Sequence, residues 1–534
     1  MRLEGACADL VILNGNIITL EGDERVEALA VKNGRIIFKG SNVEAEKYIC
    51  KDTRILDVKG RTVLPGFIDT HIHFFNLGFS LMQLDLRDVD SIEELKRRVK
   101  RKVEEAEPGR WILGRGWDQE RFAEKRYPNR WDLDEVAKDN PVMLRRVCGH
   151  ICVVNSKALK MAGIDRETLN PEGGMIDRDE NGEPTGILRE KAMNLIWSVI
   201  PPPGREEYLE ALNLATEEAL KHGLTSIHLV SATPEEIRTL QIARRLGKLK
   251  IRVSLYVSAA YLKNLVNLGI MRGFGDEYLK INGVKLLVDG SLGARTAAMR
   301  KPYSDDPDNR GILTMTFNEL KNIISTAHKG NLQLAIHAIG DRAVETVLKA
   351  LDEVLKEHPM KDHRHRLEHA SILAAELIDE MKRLGVAASV QPRFIISDFW
   401  AVERVGCERA KWTYPFKSLM EREILIGGGS DSPVDPLNPI YQIYSAVTRG
   451  KYEGIELYKY TVNECLEPID AIRLFTLNAA KLGFEEDVKG SIKIGKFADL
   501  IVLSHDPTEI NGEELKNIKV LITIVNGEIA YSST

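Results

Sequence analysis

The chain has 534 residues, 43% of them hydrophobic, which is enough for a large core and too much for one ordinary domain. Its 74 basic and 79 acidic residues leave a net charge of -5, which excludes an obvious footprint for nucleic acid or an anionic membrane and favours a small neutral or mildly charged substrate. The six cysteines form neither a CxxC pair nor a dense framework, which predicts a reducing compartment.

From Ala8 to Leu64 the text is short strands and tight turns, with Asn14-Gly15 and Asn33-Gly34 placed where hairpins turn. The other end repeats its phrases: Ala498-Asp499-Leu500-Ile501-Val502-Leu503 echoes Ala8-Asp9-Leu10-Val11-Ile12-Leu13. Neither end has strands enough to bury a face alone. Residues 1–65 and 487–534 are therefore expected to pair into one β-sandwich.

Between them, over residues 66–486, apolar strand-like runs alternate with helical stretches, as parallel βαβ units require. The runs begin at Phe67, Leu224, Ile251, Gly283, Gln333, His365, Val386 and Ile424. Eight is the number that closes a (β/α)8 TIM barrel, whose active site lies at the C-terminal strand ends. One stretch breaks the rhythm. Residues 77–203 form an insertion after the first barrel strand, with an amphipathic helix from Ile92 to Glu107 and a hairpin at Asn181-Gly182. Rising from the catalytic face, it is expected to act as a lid over the barrel mouth and to set substrate choice.

The first barrel strand ends in His71-Ile72-His73. Alternation along a strand puts both imidazoles on one face, converging on one point. Further polar residues end other strands: His228, Lys285, His337, His369 and Asp431. Each has a bland explanation, as a satisfied core histidine, an ion-paired lysine or a helix cap. Five of twelve histidines at the ends of barrel strands is a coincidence that separate structural reasons do not explain. Imidazoles with a carboxylate suit zinc, and manganese, nickel or iron are chemically admissible. For Lys285, two states are open: an ion pair with Asp289 or another acid, or a carbamate formed with carbon dioxide. Residue physics alone puts the ion pair first.

These motifs together resemble the amidohydrolase superfamily. Leu64-Pro65-Gly66-Phe67-Ile68-Asp69-Thr70-His71-Ile72-His73, Gly283-Val284-Lys285, Asp289-Gly290-Ser291-Leu292-Gly293, Ile336-His337-Ala338-Ile339-Gly340-Asp341 and Gly429-Ser430-Asp431-Ser432-Pro433 look like the branch, amidohydrolase family 3, that includes N-substituted formamide deformylases. The resemblance implies that His71, His73 and Asp431 hold one metal and His337 and His369 a second, bridged by a carboxylated Lys285. That reverses the order of the two lysine states. A single-metal site on a subset of these ligands stays open. Zinc lowers the pKa of bound water to about 7 and polarises a carbonyl. Asp431 would then shuttle the proton to the leaving nitrogen of an N-acyl, N-formyl or cyclic amide.

Two other readings compete. A mononuclear ring-amine deaminase would carry a glutamate donor beside a histidine strand, where this chain has Ala338-Ile339-Gly340 and Ala370-Ser371-Ile372. A non-catalytic oligomeric scaffold could lose ligands freely, and this chain lacks none. His228 is expected either to polarise the substrate carbonyl or to hydrogen-bond a neighbouring strand end. His150, Trp117, Asp118 and Arg145 of the insertion, and Arg295 after the fourth strand, are candidates for substrate contact, against internal structure or an ordinary salt bridge. His358, His363 and His365 read as solvated. The N-terminus has no apolar h-region and no run approaches the ~20 apolar residues of a membrane span. The remaining expectations are a soluble cytoplasmic protein of thermophilic composition, with a small-molecule substrate, no nucleic-acid or membrane partner, and a homodimeric state.

Overall fold

The computed structural model describes residues 7–533. Eight parallel strands form one nearly closed barrel sheet in the order the sequence predicts: β1 (Phe67–Ile72), β2 (Leu224–Ala232), β3 (Arg252–Ser258), β4 (Leu279–Leu287), β5 (Gln333–Ala338), β6 (Arg366–His369), β7 (Ala387–Val390) and β8 (Ile426–Gly428). A two-residue strand, Phe274–Gly275, pairs antiparallel with β4. Every residue of β1 is buried, as expected for a strand covered on both faces.

Helices with one apolar face follow the strands. Asp341–Glu357 after β5 buries Val344, Val347, Leu348, Leu351 and Val354, which recur at helical spacing. Register then levels the polar strand ends: Leu287 lies opposite His337, and Ala338 opposite His369. Beyond β8 the chain rejoins β1 through Asp431 N donating to His71 O (2.8 Å) and His73 N to Ser432 O (3.0 Å). Gly429 permits this approach, since a Cβ there would lie 2.7 Å from His71 N.

Strands from both chain ends share sheets. Leu500–Leu503 runs antiparallel to Thr62–Pro65, with Leu500 opposite Pro65, inside a six-stranded sheet. A four-stranded sheet contains Leu10–Leu13 and Ala28–Lys32. Leu10, Ile12, Leu29, Val63, Leu500, Val502 and Ile524 form a common core. The cysteine reading needs correction. Cys7 and Cys50 form a disulfide, with Cα atoms 5.5 Å apart. Their separation of 43 residues carries no local signal, because the pairing is made by tertiary proximity.

Residues Leu77–Leu214 form a compact unit of their own. Its six-stranded sheet includes Ile112–Trp117, Val142–Arg146, Ile151–Val154 and the hairpin Gly174–Arg178 with Pro184–Glu190, which turns around Gly182. The helix Ile92–Glu105 is capped by Ser91, whose side chain accepts from Glu94 N, and it buries Leu95 and Val99 in the unit's core. Among the described residues, no helix is long and apolar enough to cross a membrane.

Candidate metal centre

The centre is built from the ends of β1, β6 and β8. One ligand atom each of His71, His369 and Asp431 lies within 4.8 Å of the others, and all three residues are buried. His71 Nε2 and His73 Nε2 stand 3.4 Å and 3.3 Å from Asp431 Oδ1, so the two imidazoles do converge on one carboxylate. The His369 ring centroid is 4.8 Å from that of His71 and 4.5 Å from that of His337. His369 thus sits between His71 and His337 instead of belonging with His337 alone. The backbone bends sharply here: His369 has φ +72° and Asp431 φ +57°, a left-handed conformation that costs a non-glycine residue energy and is retained where side-chain direction matters.

The donors around these side chains fix their chemistry. The His71 Nδ1 faces the Glu368 carboxylate, which also accepts from Arg366 Nε (2.6 Å). Nδ1–H donation leaves Nε2 as the ligand atom, and Nε2 is buried with no hydrogen-bond partner. His369 Nδ1 bonds Gln391 Oε1 (2.7 Å), and His337 Nε2 bonds Gly290 O (2.9 Å). Burial drives the His369 imidazole well below its ordinary range and takes His337 down to about 4, with Lys285 adding to the His337 shift. Burial also lowers His73. These three rings offer lone pairs; for His71, burial and Lys285 are outweighed by the Glu368 and Asp431 carboxylates, which raise it above its ordinary range, so a cation bound at Nε2 would displace a proton there. Burial opposes ionisation of Asp431, yet His71 and His73 outweigh it and hold the carboxyl well below the usual range. An orphaned buried nitrogen, neutral imidazoles and an ionised carboxylate fit a divalent cation of the zinc type.

Lys285 is 3% exposed, and burial lowers its pKa against the pull of Glu368 and Asp431. Asp289 is not its counterion. That carboxylate accepts from Ala298 N, Ile339 N and Gly340 N, which pins the loop after β4 to the loop after β5. Asp69 likewise works on the backbone: pushed up to about 6 by burial, it accepts from His71 N and Ser430 N across the β1–β8 seam. Glu368, Arg366, Gln391 and Asp69 escaped the sequence reading. The signal for two of them was present in Arg366-Leu367-Glu368-His369, where charges two apart on a barrel strand must share a buried face and find partners.

Several expected contacts are otherwise employed. His228 Nδ1 accepts from Arg366 Nη1 (2.9 Å), and its Nε2 abuts Gly483, where a Cβ would lie 2.9 Å away. Its partner is the first residue of β6, a strand that does not adjoin β2, so it neither bonds a neighbouring strand end nor takes a position from which it would polarise a substrate. Trp117 is fully buried in the core of its own unit, with Nε1 donating to Leu144 O (2.8 Å), so it lines no surface. Asp118 pairs with Arg146 (2.7 Å), Arg145 stacks over Trp197, and the exposed His150 bonds Glu190 (3.0 Å). Arg295 pairs with Asp305 (2.7 Å), the ordinary salt bridge. His363 and His365 are buried, not solvated. A cavity of about 640 Å³ lined by Phe79, Trp111, Trp197 and Glu207 lies wholly within the Leu77–Leu214 unit and contains none of the ligand candidates.

Comparison with known proteins gives the same reading of the fold. Residues 54–531 match the family described as the amidohydrolase family. The protein YtcJ of Bacillus subtilis is 36% identical, covering 96% of this chain and 98% of its own. An N-substituted formamide deformylase of Arthrobacter pascens is 29% identical over 98% of this chain and 99% of its own. A crystal structure of a metal-dependent hydrolase from Pyrococcus horikoshii is 37% identical, with TM-score 0.78, covering 94% of this chain and 99% of that one.

Proposed function

The chain belongs to the amidohydrolase family and is a metal-dependent hydrolase; from that premise we propose that it cleaves an amide C–N bond, of the N-formyl or N-acyl type, with Asp431 as proton shuttle. The observation that carries this reading is the meeting of His71, His369 and Asp431 at the ends of three strands, beside a buried Lys285. His71, His73, His337, His369 and Asp431 would hold one or two zinc ions. When bound, zinc makes water nucleophilic near neutrality and polarises the scissile carbonyl.

The chain's own groups do the rest. Asp431 is ionised, so its carboxylate accepts one proton from the attacking water and delivers it to the amide nitrogen as the C–N bond breaks. Oxygen from water ends on the acyl carbon, and the proton on the departing amine. Gln391, Gly290 and Glu368 hold the histidine rings in fixed orientations while this happens. Burial lowers the Lys285 pKa against Glu368 and Asp431, the direction that favours the free amine through which it would take up carbon dioxide as a carbamate. The homology to a formamide deformylase supports the N-formyl class.

Asp431→Asn is expected to abolish turnover while circular dichroism and thermal unfolding stay near wild type. A near-normal rate would refute the shuttle. A screen of N-formyl, N-acyl and cyclic amides with zinc, with and without bicarbonate, tests the reaction and the carbamate together; activity indifferent to bicarbonate sinks the carbamate.

A further inference from the structure

The sheet of the Leu77–Leu214 unit carries two arginines side by side. Ile112–Trp117 and Val142–Arg146 run parallel, with Leu113 opposite Met143 and Arg115 opposite Arg145. Alternation puts these four side chains on one face of the sheet. Met143, Cys152, Met193 and Ile196 form an apolar core on that face, with Trp111 and Leu113 packed against it. Like charges in facing positions on paired strands repel, so the arginine pair costs stability as it stands. The carboxylate next in register is already engaged: Asp85 lies opposite Arg115 on its other side, and Arg87 Nε donates to both its oxygens (2.9 and 3.1 Å).

Arg145 is half-buried, and its guanidinium carbon stands 5.6 Å from the centre of the Trp197 ring. Among the described residues, no acceptor lies within hydrogen-bond distance of the Arg115 or Arg145 side chain. Burial lowers the Arg145 pKa, and the Arg115 charge adds to it. Other arginines of this unit have their donors spent. Arg146 donates to Asp118 (2.7 Å) and Gln119 (2.8 Å), Arg189 to Asp177 (2.7 and 2.8 Å), and Arg178 to the carbonyls of Asp165 and Gly182.

Trp197, on which Arg145 stacks, is 38% exposed and is a wall of the 640 Å³ cavity described above, together with Phe79, Trp111, Leu113, Ile200 and Pro201. Its volume is in the range that takes a small organic molecule. The charged residues lining it have partners of their own: Lys102 with Glu105 (3.5 Å), Arg110 with Glu210 (3.2 Å), and Glu207, which accepts from Gly204 N (2.6 Å). The charge left unmatched beside this aromatic wall is the Arg145 guanidinium. Its planar fork fits a carboxylate, and an anion there would also offset the repulsion from Arg115.

We infer that the insertion binds a monocarboxylate with an apolar tail: Arg145, with Arg115 beside it, holds the carboxylate, and the tail lies in the cavity against Trp197, Trp111 and Leu113. The assignment is independent of which bond the barrel cleaves.

The test is calorimetric titration of the zinc-loaded full chain with phenylpropionate, phenylpropanol, phenylpropylamine and acetate. Phenylpropionate is expected to bind wild type about 10- to 100-fold more tightly than phenylpropanol, with phenylpropylamine and acetate weaker than phenylpropionate by at least as much. Arg145→Gln brings the acid down to the level of the alcohol and leaves the alcohol unchanged. Arg145→Lys keeps the charge without the fork and retains part of the preference, which separates loss of the anchor from loss of the fold. Trp197→Ala weakens acid and alcohol alike. An acid that ligates the zinc centre instead would keep its full affinity in Arg145→Gln, and that result overturns the assignment. So do equal affinities for acid and alcohol in wild type, failure of the acid to bind, or indifference of both to Trp197→Ala.

Discussion

Glu368 is the residue on which the geometry of His71 turns. It is fully buried, and it can be so because it is shared between the His71 imidazole and the Arg366 guanidinium, which itself donates to Thr70 O (2.9 Å) and His228. Removing its charge both frees the His71 ring and strands Arg366 in a dry interior. Glu368→Gln is therefore expected to weaken zinc binding about 10- to 100-fold, read by competition with a chelator. It should also lower unfolding stability by about 3 kcal/mol, read in denaturant. Unchanged zinc affinity would show that Glu368 is a structural ion-pair member and no more. The sequence displayed the candidate ligands because imidazole and carboxylate are conspicuous at strand ends. It hid Glu368 and Gln391 because their importance lies in which histidine they touch.

At the scale of elements, the start of β6 carries a second histidine group remote in role from the first. His328 Nδ1 meets His365 Nε2 (2.9 Å), His365 Nδ1 accepts from Leu334 N (3.1 Å), and His363 Nδ1 accepts from His365 N (2.9 Å). His363 Nε2 donates to Leu384 O (2.9 Å) and His328 Nε2 to His358 O (2.8 Å). Each Nδ1 is an acceptor, so the neutral form is built into the packing of β5 against β6. Burial lowers His363 and takes His365 well below its ordinary range, with Arg272 nearby adding to both and Asp362 opposing in the case of His363. The unfolded chain takes up these protons first. Stability is thus full above the ordinary value of 6.5 and falls as pH drops below it, by about 1.4 kcal/mol per pH unit for each such histidine. Urea unfolding at pH 7.0 and 5.5 should show this slope, reduced in His365→Asn; identical slopes in the two proteins would reject the assignment. The sequence placed His363 and His365 at a polar helix end and read them as wet. The strand pairing that buries them depends on residues ~30 positions away, which local pattern does not report.

For the whole molecule, the barrel and the sandwich are joined by a buried ion pair. Arg252 opens β3, and Asp499 immediately precedes the strand Leu500–Leu503. Their contacts are 2.7 Å and 3.1 Å, and the guanidinium stacks on Phe497. Both side chains are almost fully enclosed, so loss of one leaves the other charged and unpaired. Arg252→Ala is expected to cost about 3–5 kcal/mol and to lower the melting temperature by several degrees without changing zinc content. A melting curve that superimposes on wild type would show that the two parts are held together by apolar contact alone.

The eight strands, the shared terminal sheets and the candidate ligands at the strand ends were legible in the sequence, because buried parallel strands read as apolar runs and a barrel's site lies at their ends. What the sequence could not supply was pairing across long separations: His369 standing with His71 and Asp431, Cys7 with Cys50, Arg366 with His228, and Trp117 turned into a core. Periodicity fixes which way a side chain faces along its own strand. Which partner it meets there is decided only when the sheet curls round and closes, since that contact is made by residues hundreds of positions apart.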